Sequence, residues 1–303
     1  MLRQESNGLV TYHFETLRVE GLVHAVFTRL GGCSPVPFAS LNVGRLVDDD
    51  ESNVLENHRR IYAHLGLQPG QVVTTRQVHG NRVAAVDTPD GARIVPNTDG
   101  LVTVTPGVAL LQRFADCQPI LLYDPEHHAV GLVHAGWRGV AQGVARRAVE
   151  AMHQAFGTRP KGLVAGLGPA IGPCCYVVGD EVAAAMGYAL PDWKAVMQLE
   201  GEGQWRFDLP AANAQQLAAA GVRRIEMAGM CTGCNVDEFY SHRAEQGKTG
   251  RFAAVAYLQP RGAEQAEAVP TKTRKQADDP ELAPFDSLHP AGFPAFDQGA
   301  DSQ

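Results

Sequence analysis

Short apolar runs rich in Val, Leu and Ile recur between residues 23 and 258, the pattern of strands with at least one buried face. They fall at 23–28, 72–78, 83–86, 101–104, 108–114, 120–123, 129–133, 162–166, 222–227 and 252–258. Helical periodicity is rarer and better marked. Val140, Val144, Ala148, Met152 and Phe156 repeat every four residues and Gly157 follows as a stop, predicting one continuous helix. Asp208 is placed to cap a second helix over 209–220, ended by Gly221, and further helices are expected over 53–65 and 180–187. The runs 120–123 and 129–133 flank Asp124-Pro125-Glu126-His127-His128, which predicts a hairpin with a five-residue loop. Strands come in hairpins as often as they alternate with helices, so a simple doubly wound parallel sheet is disfavoured and an α+β chain is expected.

After Leu258 the pattern stops. Pro260, Pro270, Pro280, Pro284, Pro290 and Pro294 are scattered among Ala, Gln, Asp and Lys with neither periodicity. This predicts a domain over 1–258 and a disordered tail over 259–303. With 45% hydrophobic residues the chain can build a substantial core. A net charge of -7 disfavours nucleic acid or an acidic membrane as partner, since both need a basic field, and leaves a small molecule as the expected partner. No apolar run approaches the roughly 20 residues that span a bilayer. The start Met1-Leu2-Arg3-Gln4-Glu5-Ser6-Asn7 lacks the apolar stretch of a signal peptide, so a cytoplasmic location is expected.

Three residues carry the candidate chemistry: His79 in Arg76-Gln77-Val78-His79-Gly80, Cys117 in Ala115-Asp116-Cys117, and His134 in His134-Ala135-Gly136-Trp137-Arg138-Gly139. Two imidazoles and a thiolate make the ligand set of a catalytic zinc with one position open. Folding the hairpin about Glu126 sets Cys117 opposite Ala135, one position from His134, and opposed Cβ atoms lie about 4.5–5.5 Å apart. The pairing depends on register, because a slip of one residue moves a side chain to the other face. Spacing alone does not bring His79 to the other two.

The remaining cysteines read differently. Six in a chain this long do not make a disulfide scaffold. Cys231-Thr232-Gly233-Cys234 would need a second ligand pair to hold a structural zinc, and the nearest, vicinal Cys174-Cys175, promises poor tetrahedral geometry. Local packing is the expectation there, with a redox dithiol as the rival, and Cys33 in its Gly-rich turn is read as structural. Gly166-Leu167-Gly168-Pro169-Ala170-Ile171-Gly172 misses the dinucleotide-loop spacing by one residue and carries Pro169 where a helix should open, which argues against NAD or FAD.

Several ordered blocks between Gly31 and Leu258 carry a family resemblance. They are Gly31-Gly32-Cys33-Ser34 with Ser40-Leu41-Asn42-Val43-Gly44, then Glu56-Asn57-His58-Arg59-Arg60, Gln77-Val78-His79-Gly80, Asp99-Gly100-Leu101-Val102-Thr103 and Ala115-Asp116-Cys117. The block from His134 to Gly139, the run from Gly168 to Tyr176, and Phe239-Tyr240-Ser241-His242-Arg243 with Thr249-Gly250-Arg251 complete the set. Together they resemble the bacterial laccase-domain family, also called multicopper polyphenol oxidases or purine nucleoside phosphorylases, whose members include a peptidoglycan editing factor. Val177 stands where an acidic residue is expected and Ala244 where a basic one is.

The resemblance implies a layered αββα-type sandwich with mixed, hairpin-rich sheets, and metal ligands at His79, Cys117 and His134. It implies zinc-dependent phosphorolysis of adenosine, inosine and S-methyl-5'-thioadenosine, with adenosine deamination in the same site. A zinc there lowers the pKa of a bound water toward neutrality. Asp116 is the nearest carboxylate for proton transfer, although neighbours on a strand point to opposite faces. Arg60 and Arg243 are candidate phosphate forks, and Asn42 a substrate contact by family position. Two other readings stay open. Copper would make the centre a polyphenol oxidase, and Cys117 acting as nucleophile with a histidine base would make it an amidase editing peptidoglycan precursors.

Overall fold

The computed structural model describes residues 1–87 and 93–259. The chain opens with a hairpin of β1 (Leu2–Ser6) and β2 (Leu9–His13), turned by Asn7 and Gly8 at φ 53° and 73°, the left-handed pair that a two-residue hairpin requires. After β3 (Leu22–Phe27) comes α1 (Glu51–Leu65), started by the Asp50 carboxylate accepting from Ser52 N and ended at Gly66 with φ 68°. Then follow β4 (Val72–Thr75), β5 (Val83–Ala85), β6 (Arg93–Val95), β7 (Gly100–Thr103), β8 (Ala109–Phe114), β9 (Gln118–Asp124) and β10 (Ala129–Ala135).

The single helix expected from Val140 to Phe156 is two, α2 (Trp137–Ala141) and α3 (Val144–Phe156). Gly143 between them adopts φ 76°, and a four-residue apolar spacing reads the same across such a break. The chain continues through β11 (Val164–Leu167), β12 (Val177–Gly179), α4 (Asp180–Ala189), β13 (Met197–Gly201) and β14 (Gln204–Phe207). It closes with α5 (Leu209–Ala219), capped as expected by Asp208 on Ala211 N, then β15 (Arg224–Met227) and β16 (Phe252–Leu258).

The strands form three sheets, ordered β1-β2-β3-β16-β8-β4-β6, β15-β11-β9-β10-β7-β5 and β12-β14-β13. Both large sheets mix parallel and antiparallel pairs. Period-two alternation sorts their side chains into layers. From β16, Phe252, Ala254, Ala256 and Leu258 meet Leu121, Tyr123, Val130 and Leu132 of β9 and β10 in the core between the sheets. The alternate residues Ala253 and Val255 pack outward with Ile61 of α1, while Ile120, Leu122 and Val133 pack outward on Val149 and Met152 of α3 and Leu217 of α5. The order is therefore helix, sheet, sheet, helices. A separate apolar cluster joins α2, α4 and the small sheet through Val140, Met186 and Phe207.

The tail expected over 259–303 lies, from Pro260 on, outside the described residues. Among the described residues no helix is long and apolar enough to cross a membrane.

Candidate metal centre

The ligand atoms of His79, Cys117 and His134 all lie within 4.8 Å of one another. His134 is on β10 in the same parity as Val130 and Leu132, so its ring points between the two sheets and packs at 5.6 Å from Phe114. The β9–β10 register differs by one residue from the expected one. Asp124 pairs with Ala129 and Pro119 with His134, which leaves a four-residue loop and carries the ladder to Gln118 opposite Ala135. One step further, Cys117 falls opposite Gly136, on the face of Pro119 and His134. The expected register would have turned the thiol to the wrong side.

Gly136 completes this arrangement. A Cβ there would stand 2.7 Å from Cys117 Sγ and 3.5 Å from His79 Cδ2, so only hydrogen leaves the sulfur its place. His79 arrives on the turn after β4, with its own φ at 59°, and its ring meets that of His134 edge to face at 4.9 Å. Asp116 is likewise left-handed at φ 81°. Two non-glycine residues in this region beside one cluster mark backbone held in place by its surroundings.

Asp99 supplies that hold at His79, and sequence reasoning gave it no role. Its buried carboxylate accepts from His79 N at 2.9 Å, Gly80 N at 2.8 Å, Val78 N at 3.2 Å and His134 Nδ1 at 3.0 Å. A carboxylate accepts only, so Nδ1 of His134 carries the proton and Nε2 is left as a ligand atom. Its placement follows from β7: Gly100 pairs with Val133, which puts Asp99 opposite His134, and its carbonyl accepts from His134 N at 2.7 Å. The available signal was an Asp directly before a buried strand.

Exposure grades across the centre from buried His134 through half-buried Cys117 to exposed His79, so its open side faces solvent. Burial works against a charged Cys117, but His134 and His79 outweigh it and lower the thiol pKa. Burial likewise opposes charge on His134, yet Cys117 and Asp99 raise its pKa. A sulfur disposed to be thiolate between two imidazoles is a donor set suited to a zinc or copper ion, and the cluster can hold a metal.

Asp116 and Arg243 lie alongside. The Asp116 carboxylate accepts from Thr232 Oγ1 at 2.6 Å and Arg243 N at 2.7 Å, which ties the 239–243 segment to the residue preceding Cys117. The Arg243 guanidinium lies 5.0 Å from the Tyr176 ring. Burial raises the Tyr176 pKa, Cys117 and Asp116 add to it, and Arg243 and Arg138 oppose it. The Arg243 guanidinium donates to Val177 O at 2.5 Å, and that of Arg138 lies 4.6 Å from the Trp137 ring. Arg138 was missed as a site residue although it stands in the His134 block.

The other candidates sit in a separate network. Buried Asn42 accepts from Gly44 N and Arg251 N, each at 2.9 Å, and donates to Asp49 at 2.7 Å. Arg60 donates to Glu56 Oε1 and Gly31 O, both at 2.9 Å. Among the described residues no hydrogen bond or ion pair of either reaches His79, Cys117 or His134. Cys33 donates to Asn57 Oδ1 at 3.4 Å and holds its turn against α1, the structural role expected of it. The expectation for the Cys-x-x-Cys pair needs correction: the sulfurs of Cys174, Cys175, Cys231 and Cys234 converge within 4.8 Å, because parallel β11 and β15 deliver their loops side by side.

A family model described as multi-copper polyphenol oxidoreductase laccase matches residues 23–259. The chain belongs to this family. Among the relatives of this laccase-like chain, purine nucleoside phosphorylase YlmD of Geobacillus stearothermophilus is 41% identical over 244 residues, covering 77% of this chain and 89% of the relative. A purine nucleoside phosphorylase of Deinococcus radiodurans is 40% identical over 246 residues, covering 81% and 92%. The crystal structure of the Geobacillus stearothermophilus YlmD superposes with a TM-score of 0.80 at 38% identity, over 85% of this chain and 98% of that one. The Bacillus licheniformis hypothetical protein YfiH also gives 0.80, at 33% identity over 85% and 99%. The laccase-like fold is thus shared along almost the whole length of both solved chains.

Proposed function

We propose that the chain is a zinc-dependent purine nucleoside phosphorylase acting on adenosine, inosine and S-methyl-5'-thioadenosine, with adenosine deaminase activity in the same site. The observation that carries this reading is the convergence of His79, Cys117 and His134, with relatives of about 40% identity named purine nucleoside phosphorylases in support. The donor set has one thiolate and two imidazoles, the count of a catalytic zinc site. When bound, zinc supplies a Lewis acid that activates water and polarises a phosphate oxygen.

The chain's own groups do the rest. Asp99 fixes the His134 tautomer and the backbone of the His79 turn at once, so the His134 ligand nitrogen and the position of His79 are set before substrate arrives. Arg138 and Arg243, whose charges both act on Tyr176, are the guanidinium forks proposed for phosphate oxygens. Asp116 spends both carboxylate oxygens on Thr232 and Arg243, which makes it a positioning residue for the Arg243 segment. In phosphorolysis a phosphate oxygen bonds to the anomeric carbon as the bond to the purine nitrogen breaks. In deamination water adds at C6 and ammonia leaves.

The lowered pKa of Cys117 beside His134 favours one rival, a metal-free cysteine amidase. A copper polyphenol oxidase is the other, although no methionine stands among the three ligands. Purified zinc-replete protein incubated with adenosine and phosphate should yield adenine and inosine, separated by chromatography. A strong chelator should abolish both products and zinc restore them. Absence of product above background refutes the proposal; chelator-insensitive activity lost on alkylation of Cys117 favours the amidase, and copper at stoichiometric content with phenol turnover favours the oxidase.

A further inference from the structure

We infer that Cys174, Cys175, Cys231 and Cys234 form a second, all-thiolate zinc site, separate from the His79–Cys117–His134 centre, that staples together two loops of the active-site wall. The four sulfurs lie within 4.8 Å of one another, with Cys174 Sγ 3.3 Å and Cys175 Sγ 3.4 Å from Cys234 Sγ. A tetrahedron with zinc–sulfur bonds of about 2.3 Å has sulfur separations of about 3.8 Å, so small side-chain adjustments fit the four to one ion. Two disulfides would need two pairs near 2.05 Å. Here one sulfur, that of Cys234, touches two others, which is the geometry of a cluster.

The backbone prepares this cluster. An isolated parallel bridge joins Ala170 to Cys231, and Thr232 N donates to Ala170 O at 3.0 Å, so the two loops run as a short extension of β11 and β15. Gly172 N donates to Cys231 Sγ at 3.2 Å, a contact that suits a metal-bound thiolate. Arg206, ion-paired with Glu200, donates to the carbonyls of Pro173 and Cys174 at 3.0 and 3.1 Å and so holds the backbone of the 173–175 turn. The vicinal Cys174-Cys175 pair serves because a turn over 173–175 lets both sulfurs reach Cys234.

The staple has a target. Ile171 N, in one loop, donates to Asp116 O at 2.9 Å, and Thr232 Oγ1, in the other, donates to the Asp116 carboxylate. Both loops therefore clasp the residue before Cys117, and Tyr176, directly after Cys175, carries the Arg243 guanidinium. Zinc binding here replaces four thiol protons with one ion and changes no oxidation state.

The test is metal content of the full chain, purified under reductant and dialysed against zinc at low concentration. Wild type should retain about two zinc equivalents, and both Cys231→Ser/Cys234→Ser and His79→Ala/His134→Ala about one each. Because the cysteine variant can fail to fold, a second measurement uses wild type alone. Iodoacetamide labelling of the exposed Cys174 and Cys234, read by peptide mass, should be at least tenfold slower with zinc than after chelation. Equal labelling rates, unchanged zinc content in the folded cysteine variant, or disulfides among these four in reductant-treated protein would each overturn the site. Loss of zinc from His79→Ala/His134→Ala down to one equivalent, with no nucleoside cleavage by wild type, would sink the proposed activity while leaving this second site standing.

Discussion

Asp99→Asn is the change that separates a positioned metal centre from a chance meeting of three side chains. The wild-type carboxylate is fully buried and accepts four hydrogen bonds, from His134 Nδ1 and from the amides of Val78, His79 and Gly80. Burial alone would raise its pKa, yet His134 and the amides of Gly80 and Val78 lower it, so the charged form is the one the site is built around. An amide of the same shape keeps one oxygen and turns an NH2 toward donors, whichever way it is flipped. Each charge-assisted bond lost costs about 1.5–3 kcal/mol. Loss of such a partner to a metal-bound histidine lowers metal affinity by about 10–100-fold, or roughly 1.4–2.8 kcal/mol at 1.4 kcal/mol per decade. Zinc Kd measured by competition with a chromophoric chelator, beside circular dichroism to confirm the fold, reads this directly. A folded variant that binds zinc within twofold of wild type would refute the assignment of Asp99 as the common support of His79 and His134.

Other outcomes follow from the same geometry. Gly136→Ala keeps an ordinary backbone, at φ -92°, but drives a methyl into Cys117 Sγ, so zinc affinity should fall at least tenfold with little loss of Tm; unchanged zinc retention after dialysis would contradict it. Arg138→Ala and Arg243→Ala should each raise KM for phosphate about tenfold or more while KM for the nucleoside changes little, since a charge-assisted contact is worth about 1.5–3 kcal/mol; equal effects on both substrates would count against phosphate forks. His24 and His58, pushed down to about 4 by burial, with His13 beside the first and Arg113 facing the second, are neutral in the fold and charge near 6.5 when unfolded. Their stabilisation is complete above pH 6.5 and is lost as pH falls toward 4, about 3 kcal/mol for each at 1.36 kcal/mol per pH unit. Urea unfolding at pH 7 and pH 4.5 should show the decline, and His58→Gln should flatten it; an equal decline in wild type and variant would refute the role of His58.

The central strands were legible as continuous apolar runs, such as Phe252 through Leu258, whose residues divide between two cores, while their layering was implied by the family resemblance. What escaped was either short or polar. The strands at 2–6, 9–13 and 93–95 carry Arg3, Gln4, Glu5, Thr11 and Arg93 and take their structure from neighbours more than from apolar pattern, although Asn7-Gly8 was a hairpin signal in plain view. Gly143 hid inside a helical repeat because the break preserved the spacing.

The site divides along the same line. His79, Cys117 and His134 were singled out among eleven histidines and six cysteines by the family resemblance, and the structure brings them together, whereas their supports, Asp99 and Gly136, act through a carboxylate in a strand-entry position and through an absent side chain. Register shows why the distinction matters. A hairpin folded about Glu126 pairs residues whose numbers differ in parity from those actually paired, and on that pairing Cys117 and His134 face opposite ways. The one-residue shift arises where Asp124 joins the ladder opposite Ala129 and leaves four residues to make the turn, with His128 in the left-handed region at φ 49° to close it. A turn some distance from the metal centre thus decides whether the centre exists at all. The same reasoning holds for the four-cysteine cluster: Cys174-Cys175 reads as a poor ligand pair in sequence, and becomes a good one only because parallel β11 and β15 bring a Cys-x-x-Cys loop up against it.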